Sequence, residues 1–186
     1  MIDPETVPTT VAGACLVSLP RFPDARGWFS QSFRREWLPG ARPMVQGNLS
    51  FSRAGVLRGL HFHRRQADYW WVCRGRMFVA LFDLRDGSPT AGERCEVWIG
   101  DGDEHGAAAM GLYVPPGVAH GFFAATEVLM QYLVDHVYDG GDEFGVAWDD
   151  PALGISWPAA DPELSDRDRS NPPLAEVLRN PPGFTE

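Results

Sequence analysis

The residues best suited to chemistry lie in one short stretch, Gly55–Gly75, and in a turn further along the chain. His61 and His63 are two positions apart, and on a strand two such side chains share a face. Asp68 follows after a short turn and can bring a carboxylate to the same interior from the next strand. His120 adds a third imidazole from the later turn. Three imidazoles and one carboxylate suit Fe, Mn, Ni, Cu or Zn, so these four residues form a candidate divalent-metal site.

The spacing of these four residues resembles the two-part metal signature of cupins. The first part reads G-x5-H-x-H-x4-D-x6-G, with Asp68 where cupins usually carry Glu. The second part reads P-x-G-x-x-H and ends at His120, with Ala124 in place of the Asn that often completes it. The alternative interpretation is that these imidazoles are hydrogen-bonded core groups of a barrel. His105 and His136 lack such neighbours and are expected in loops or at the surface.

Short β-rich segments separated by Gly and Pro must position these residues. The segments are Val56–His63, Tyr69–Cys73, Met77–Leu84, Cys95–Ile99, Gly111–Val114 and Val128–Tyr138. Turn sequences such as Asp86–Pro89 separate them, which is typical of an antiparallel sandwich or barrel. Short helices are expected near Arg34–Leu38 and Leu174–Leu178. Residues 1–186 are therefore predicted to form one all-β domain of jelly-roll type with short peripheral helices. The resemblance to the cupin signature implies that this jelly roll is a cupin-type double-stranded β-helix.

Composition narrows the range of functions. The chain has 16 basic and 25 acidic residues and a formal net charge of −9, which argues against nucleic acid or an anionic membrane as a partner. All 16 basic residues are Arg, so a lysine Schiff base and a lysine general base are excluded. The three scattered cysteines form no disulfide framework, and no apolar run approaches membrane length. We therefore expect a soluble, cytoplasmic protein.

A second set of motifs covers nearly the whole chain. In order, they are F-x-D-x-R-G-x-F from Phe22, Q-x-N-x-S from Gln46, GVLRGLH from Gly55, DLR-x-GS-x-T-x-G from Asp83, P-x-G-x-AHGF from Pro115, W-x-DP from Trp148, WP from Trp157 and LS-x-RD from Leu164. Together they resemble the dTDP-4-dehydrorhamnose 3,5-epimerase family, including the 3- and 5-epimerases of antibiotic deoxysugar pathways. The resemblance implies a homodimeric cupin jelly roll that binds a dTDP-4-keto-6-deoxyhexose and needs no cofactor.

The resemblance also implies roles for individual residues. His61 is the base that removes a proton beside the C4 ketone, Asp168 orients that imidazole, and Tyr132 returns a proton on the opposite face. An imidazole with a carboxylate partner suits this task, because its ordinary pKa lies near neutrality. The implied substrate-binding residues, chiefly around nucleotide and diphosphate, are Arg26, Phe29, Gln31, Gln46, Asn48, Arg58, His120, Tyr138 and Arg167.

The chain departs from the family pattern shortly after the histidine base. The family has a lysine there that stabilises the enolate, whereas the matching segment Gln66–Tyr69 reads QADY. Loss of such a charge stabiliser typically costs on the order of 100- to 1000-fold in rate. His63 is uncommon for the family, and Gln31 stands where Glu is usual. Because Asp68 both replaces the lysine and completes the metal-ligand set, we hypothesise that a divalent ion takes over as Lewis acid.

Three functions remain open on the sequence. The first is an isomerase of a dTDP-4-keto-deoxysugar, either metal-free or metal-assisted. The second is a metal-dependent cupin oxidoreductase, cyclase or lyase that uses the four candidate ligands on another substrate. The third is a nucleotide-sugar-binding protein without activity. If His61 holds a metal it cannot also be a free base, and Tyr132 or a metal-bound hydroxide would take that role.

Overall fold

The computed structural model describes residues 4–38, 40–102 and 109–179. Within these ranges the strands are β1 Thr6–Pro8, β2 Cys15–Ser18, β3 Arg21–Asp24, β4 Gly27–Ser30, β5 Gln46–Ser52, β6 Leu57–Phe62, β7 Asp68–Arg74, β8 Arg76–Asp83, β9 Arg94–Gly100, β10 Met110–Val114, β11 Val118–Ala124, β12 Val128–Val134 and β13 Phe144–Gly145. The α-helices are α1 Asp166–Arg169 and α2 Leu174–Arg179, and 3-10 turns lie at Arg35–Trp37, Gly140–Asp142 and Pro151–Leu153. None of the described helices has the length and apolar character needed to span a bilayer.

Two antiparallel sheets form the body of the molecule. The six-stranded sheet has the order β1-β2-β10-β7-β12-β5, and the five-stranded sheet has the order β13-β6-β11-β8-β9. β3 and β4 pair separately as a hairpin. Apolar side chains from both sheets share one buried cluster, with Val79 and Leu81 from β8 and Leu112 and Met130 from β10 and β12. The predicted jelly roll is confirmed.

The six predicted β-rich segments match β6 to β10 and β12, and the two predicted helical positions match the 3-10 turn Arg35–Trp37 and α2. Among the described elements, β1 to β5, β11, β13 and α1 are not predicted, and one predicted boundary differs. The sequence patterns do not predict β5, because its apolar residues face outward and its polar residues inward. They do not predict β11 either, because its Gly and His residues read as part of the preceding turn. The segment expected to reach Tyr138 ends at Val134, where the Asp135 carboxylate accepts a hydrogen bond from the Ala67 amide (2.8 Å) and draws the chain into a loop.

The DLR-x-GS-x-T motif fastens the loop that follows β8. The buried carboxylate of Asp83 accepts hydrogen bonds from Arg85 Nε (2.8 Å), Ser88 Oγ (2.6 Å) and Thr90 Oγ1 (2.7 Å). Burial alone raises the pKa of Asp83, but these hydrogen bonds outweigh it and hold the pKa at about 2. This motif therefore supports the fold, and it does not reach the cavity described below.

Two glycines allow β6 and β11 to approach closely beside the future site. A Cβ on Gly59, whose φ is +115°, would lie 2.8 Å from the Cα of Gly121. A Cβ on Gly121 would lie 2.7 Å from the carbonyl oxygen of Arg58. Both distances are too short for a side chain. The close approach places His61 directly opposite His120 in the strand register.

Candidate active site

A cavity of about 220 Å³ opens where the two sheets face each other. Its lining residues are Ser50, Arg58, His61, His63, Gln66, Asp68, Trp70, His120, Gly121, Phe122, Met130, Tyr132, Glu143 and Arg167. His61 and His120 come from the five-stranded sheet, whereas Asp68 and Tyr132 come from the six-stranded sheet. Titratable groups therefore face the cavity from two opposing walls.

His61 forms a close pair with Asp168 of α1. The Nε2 of His61 lies 2.6 Å from Asp168 Oδ1. Burial raises the pKa of Asp168, but the His61 hydrogen bond and charge, with the help of Ser165, outweigh burial and lower it below its usual value. The carboxylate is therefore ionised and accepts the Nε2–H, which leaves Nδ1 as the basic nitrogen of His61. The pair has the form of an oriented general base.

Tyr132 faces the cavity from the opposite wall. Burial raises the pKa of its phenol, the negative charges of Asp68 and Glu143 raise it further, and Arg58 partly opposes them. The phenol is therefore protonated near neutral pH and able to donate. An acid and a base thus flank the same space on different sheets.

His63, Asp68 and His120 form a separate buried cluster in this cavity. One potential ligand atom from each lies within 4.8 Å of the others. The Nδ1–H of His63 donates to the carbonyl of Asp142 (2.7 Å), and that of His120 donates to the carbonyl of Val118 (2.9 Å). Burial lowers the pKa of His120 well below its ordinary value, so this imidazole is neutral near pH 7. Neutral imidazoles and a carboxylate are suitable metal ligands.

His61 does not belong to this cluster among the described residues, which corrects the expected four-ligand set. Its Nε2 is already bonded to Asp168. His61 and His63 both line the same cavity, as the two-residue spacing predicts, so the hydrogen bond to Asp168, and not the direction of the strand, sets His61 apart. His61 is therefore not needed to complete this three-residue cluster.

Three of the expected substrate-binding residues line the cavity: Arg58, His120 and Arg167. The guanidinium of Arg58 is anchored by Ser52 Oγ (2.9 Å) and by the Phe51 carbonyl (3.0 Å).

The other six expected binding residues do not line this cavity. Arg26 and Phe29 lie on the exposed β3–β4 hairpin, and Gln31 follows it. Gln46 and Asn48 bond to each other on the inner side of β5 (2.8 Å), and Gln46 also accepts from the backbone N–H of Tyr138, whose side chain is exposed. The order of motifs along the chain gives no information on distances in the folded protein. The resemblance could therefore imply that these residues bind a ligand, but it could not predict where they lie relative to the cavity.

Two cavity residues have roles that sequence reasoning missed. Gln66 donates to Asp68 Oδ1 (2.8 Å), and Glu143 pairs with Arg167 (2.7 Å). The sequence did offer a signal for Gln66, because it stands two positions before Asp68 and side chains at that spacing can lie on the same side of the chain. Glu143 belongs to an acidic, glycine-rich stretch in which nothing marks the carboxylate that turns inward.

Two histidines were expected outside any site. His136 lies after the end of β12, half-buried, with its Nδ1 2.9 Å from the Asp135 carboxylate. His105 lies outside the described residues.

A larger hollow of about 730 Å³ shares no described lining residue with this cavity. Its two arginines are already engaged: Arg85 with Asp83 (2.8 Å) and Arg42 with Asp135 (2.8 Å). Volume alone does not make a site, because an active site needs convergent groups that are available for chemistry.

Known proteins resemble this chain in both sequence and fold. The family model described as dTDP-4-dehydrorhamnose 3,5-epimerase matches residues 8–176. The dTDP-4-dehydrorhamnose 3,5-epimerase of Streptomyces griseus is 38% identical over 181 residues, which cover 92% of this chain and 88% of that protein. NovW, a 4-keto-6-deoxy sugar epimerase from the novobiocin cluster of Streptomyces spheroides, is 32% identical with a TM-score of 0.86, covering 96% of this chain and 94% of that one.

A ligand-bound structure is similar to the same extent. ChmJ, a 3'-monoepimerase from Streptomyces bikiniensis solved in complex with dTDP-quinovose, is 32% identical with a TM-score of 0.85, covering 93% of this chain and 89% of that one. These matches extend across the two sheets and the segments that carry the cavity residues. The chain belongs to the dTDP-4-dehydrorhamnose 3,5-epimerase family, a family of isomerases.

Proposed function

We propose that this protein epimerises a dTDP-4-keto-6-deoxyhexose at a carbon beside the ketone. One observation carries the proposal: an oriented histidine base and a protonated tyrosine face the same cavity from opposite sheets. Epimerisation needs a proton to leave one face of the sugar and another to arrive on the opposite face. Family membership and the dTDP-sugar bound to a similar epimerase support this substrate class.

The proposed reaction uses groups of the chain for both proton transfers, and epimerases of this family need no cofactor. Nδ1 of His61 takes the proton, the C–H electron pair forms the enolate double bond, and negative charge moves to the C4 oxygen. The O–H of Tyr132 then donates its proton to the same carbon from the other side. Bulk water recharges the phenol and discharges the imidazole. Arg58 is a suitable group for the diphosphate, because a guanidinium binds phosphate oxygens in a fork.

Solvent deuterium incorporation tests the function directly. In D2O the protein is expected to place deuterium into dTDP-4-keto-6-deoxyglucose at C3, at C5 or at both, which NMR resolves carbon by carbon. The matched control substrate is dTDP-glucose, which has no ketone and should take up none. Absence of label with both metal-free and metal-loaded protein would contradict the proposal. If dTDP nevertheless raised the melting temperature, the chain would be a nucleotide-sugar-binding homologue without activity.

We further propose a homodimer in which the β3–β4 hairpin of each protomer reaches the cavity of its partner. Arg26, Phe29 and Gln31 match family substrate-binding positions, yet they lie away from the cavity of their own chain. Phe29 is 63% exposed, and the outward face of edge strand β5 exposes Leu49 and Phe51. Apolar groups exposed together in this way are typical of an interface.

The mass in solution tests the dimer. Sedimentation equilibrium is expected to give about 41 kDa, twice the 20.6 kDa of one chain. Leu49→Asp, at a side chain 67% exposed on β5, should shift the protein toward monomer. Leu178→Asp on α2 is the matched control, since that side chain is 50% exposed but lies on a different element, and it should leave the mass unchanged. A monomeric wild type, or a Leu49→Asp variant that stays dimeric, would refute this arrangement.

A further inference from the structure

Three hydrogen-bond acceptors converge beside the His61–Asp168 pair. His63 and His120 each use their Nδ1–H on a backbone carbonyl, which can only accept. The neutral form of each imidazole therefore carries its free lone pair on Nε2. The third group is the carboxylate of Asp68, and ligand atoms of all three lie within 4.8 Å of one another. Among the described residues, no hydrogen-bond donor reaches either Nε2.

Asp68 places a buried carboxyl group in this cluster, with neutral hydrogen-bond donors beside it. Its carboxylate is 4% exposed and accepts hydrogen bonds from the side chains of Gln66 (2.8 Å) and Trp70 (3.0 Å), which are both neutral. Within the described residues no Arg forms an ion pair with it, and His120 Nε2 at 3.8 Å is too distant for a hydrogen bond. The carboxyl group and the two Nε2 atoms therefore face one another with no donor between them among the described residues, an arrangement that a bound cation would satisfy.

We propose that His63, Asp68 and His120 bind a divalent first-row transition-metal ion in the cavity. Two imidazoles and one carboxylate hold such ions and leave coordination positions open for a substrate oxygen. The surrounding contacts have the form expected around metal ligands. The carbonyls of Asp142 and Val118 orient the imidazoles, while Gln66 and Trp70 hold the carboxylate.

The role of this ion rests on the proposed epimerase function, whereas its binding does not. When His61 takes the proton, the C4 oxygen gains negative charge and needs a cation beside it. The chain has no lysine to supply one. Arg167 is already paired with Glu143, and Arg58 is anchored to Ser52 and the Phe51 carbonyl. A metal ion on the three ligands places the missing positive charge in the same cavity as the base.

Metal binding is tested without any substrate. Wild-type protein is stripped with a chelator, dialysed, and titrated with Zn²⁺, Mn²⁺ and Co²⁺, with elemental analysis for stoichiometry, visible absorption for Co²⁺ and the melting temperature as readouts. At least one ion should bind at one per chain and raise the melting temperature as its concentration rises. No stoichiometric binding of any of the three to the wild type would overturn the proposal, whether or not the variants fold.

Variants locate the ion. His63→Gln, Asp68→Asn and His120→Gln should each abolish stoichiometric binding. Each substitution replaces one proposed ligand with a neutral amide side chain of similar size. His136→Gln is the matched control, since His136 lies outside the cavity, and it should bind as the wild type does. Retention of the ion by all three ligand variants would overturn the proposed site. Thermal unfolding of the metal-free variants checks that each of them is folded.

The catalytic role has its own readout. Chelation is expected to lower the deuterium exchange rate of the wild type by about 100- to 1000-fold, and adding the metal back should restore it. His61→Asn should keep the ion but lose the exchange. If chelation leaves exchange unchanged, the catalytic role is overturned. If the ion binds but neither form exchanges, the metal site stands and the proposed function fails.

Discussion

His61→Asn is expected to lower the rate of deuterium exchange into a dTDP-4-keto-6-deoxyhexose by about 10³- to 10⁴-fold. Among the described histidines of the cavity, His61 is the one whose imidazole is hydrogen-bonded to an ionised carboxylate. The imidazoles of His63 and His120 are hydrogen-bonded to backbone carbonyls instead. Asn keeps a polar group near Asp168 but cannot take a proton at neutral pH. The loss should appear in the rate of proton removal, measured by NMR in D2O with substrate at saturation.

The variant must be shown to be folded and able to bind. Its melting temperature and the stabilisation by dTDP should remain near wild-type values, because His61 is 26% exposed to the cavity and its removal leaves no closed void. His136→Asn is the matched control and should exchange at the wild-type rate, since that histidine lies outside the cavity. An exchange rate for His61→Asn close to that of the wild type would show that another group removes the proton.

The parts of the site that could be predicted are those carried by strand alternation and by long motifs. The GVLRGLH and AHGF motifs contain Gly59 and Gly121, whose lack of a Cβ allows His61 and His120 to lie side by side. The jelly roll followed from short β-rich segments between regular turns, because such segments bury their apolar faces in stacked or closed sheets.

The parts that could not be predicted depend on which partner each side chain meets in the folded chain. His61 and His63 line the same cavity, yet His63 lies with Asp68 and His120, whereas His61 pairs with Asp168. Nothing in the spacing reveals that division of roles. Strand β5 was missed for a different reason, because its apolar groups face out toward a surface that a single sequence cannot distinguish from a core.

Tyr132→Phe is expected to separate proton removal from epimerisation. The phenol faces the cavity from β12 in the six-stranded sheet, whereas His61 faces it from β6 in the five-stranded sheet. Removing the hydroxyl leaves the base intact, so His61 can still take a proton and return solvent deuterium to the same face. Formation of the epimer should fall by about 10³-fold, because general-acid catalysis by a positioned donor contributes on that order.

The result to look for is therefore a label without inversion. For Tyr132→Phe, mass spectrometry should show deuterium in recovered substrate while NMR shows almost no epimer, a pattern that a misfolded or non-binding protein cannot give. Inversion at the wild-type rate would place the donor elsewhere, and equal loss of label and epimer would mean that Tyr132 also supports proton removal. The charges of Asp68 and Glu143 raise the pKa of the Tyr132 phenol, so a cation bound beside Asp68 should lower it. The same measurement with and without bound metal therefore shows whether the ion changes proton donation by Tyr132 as well as the stability of the enolate.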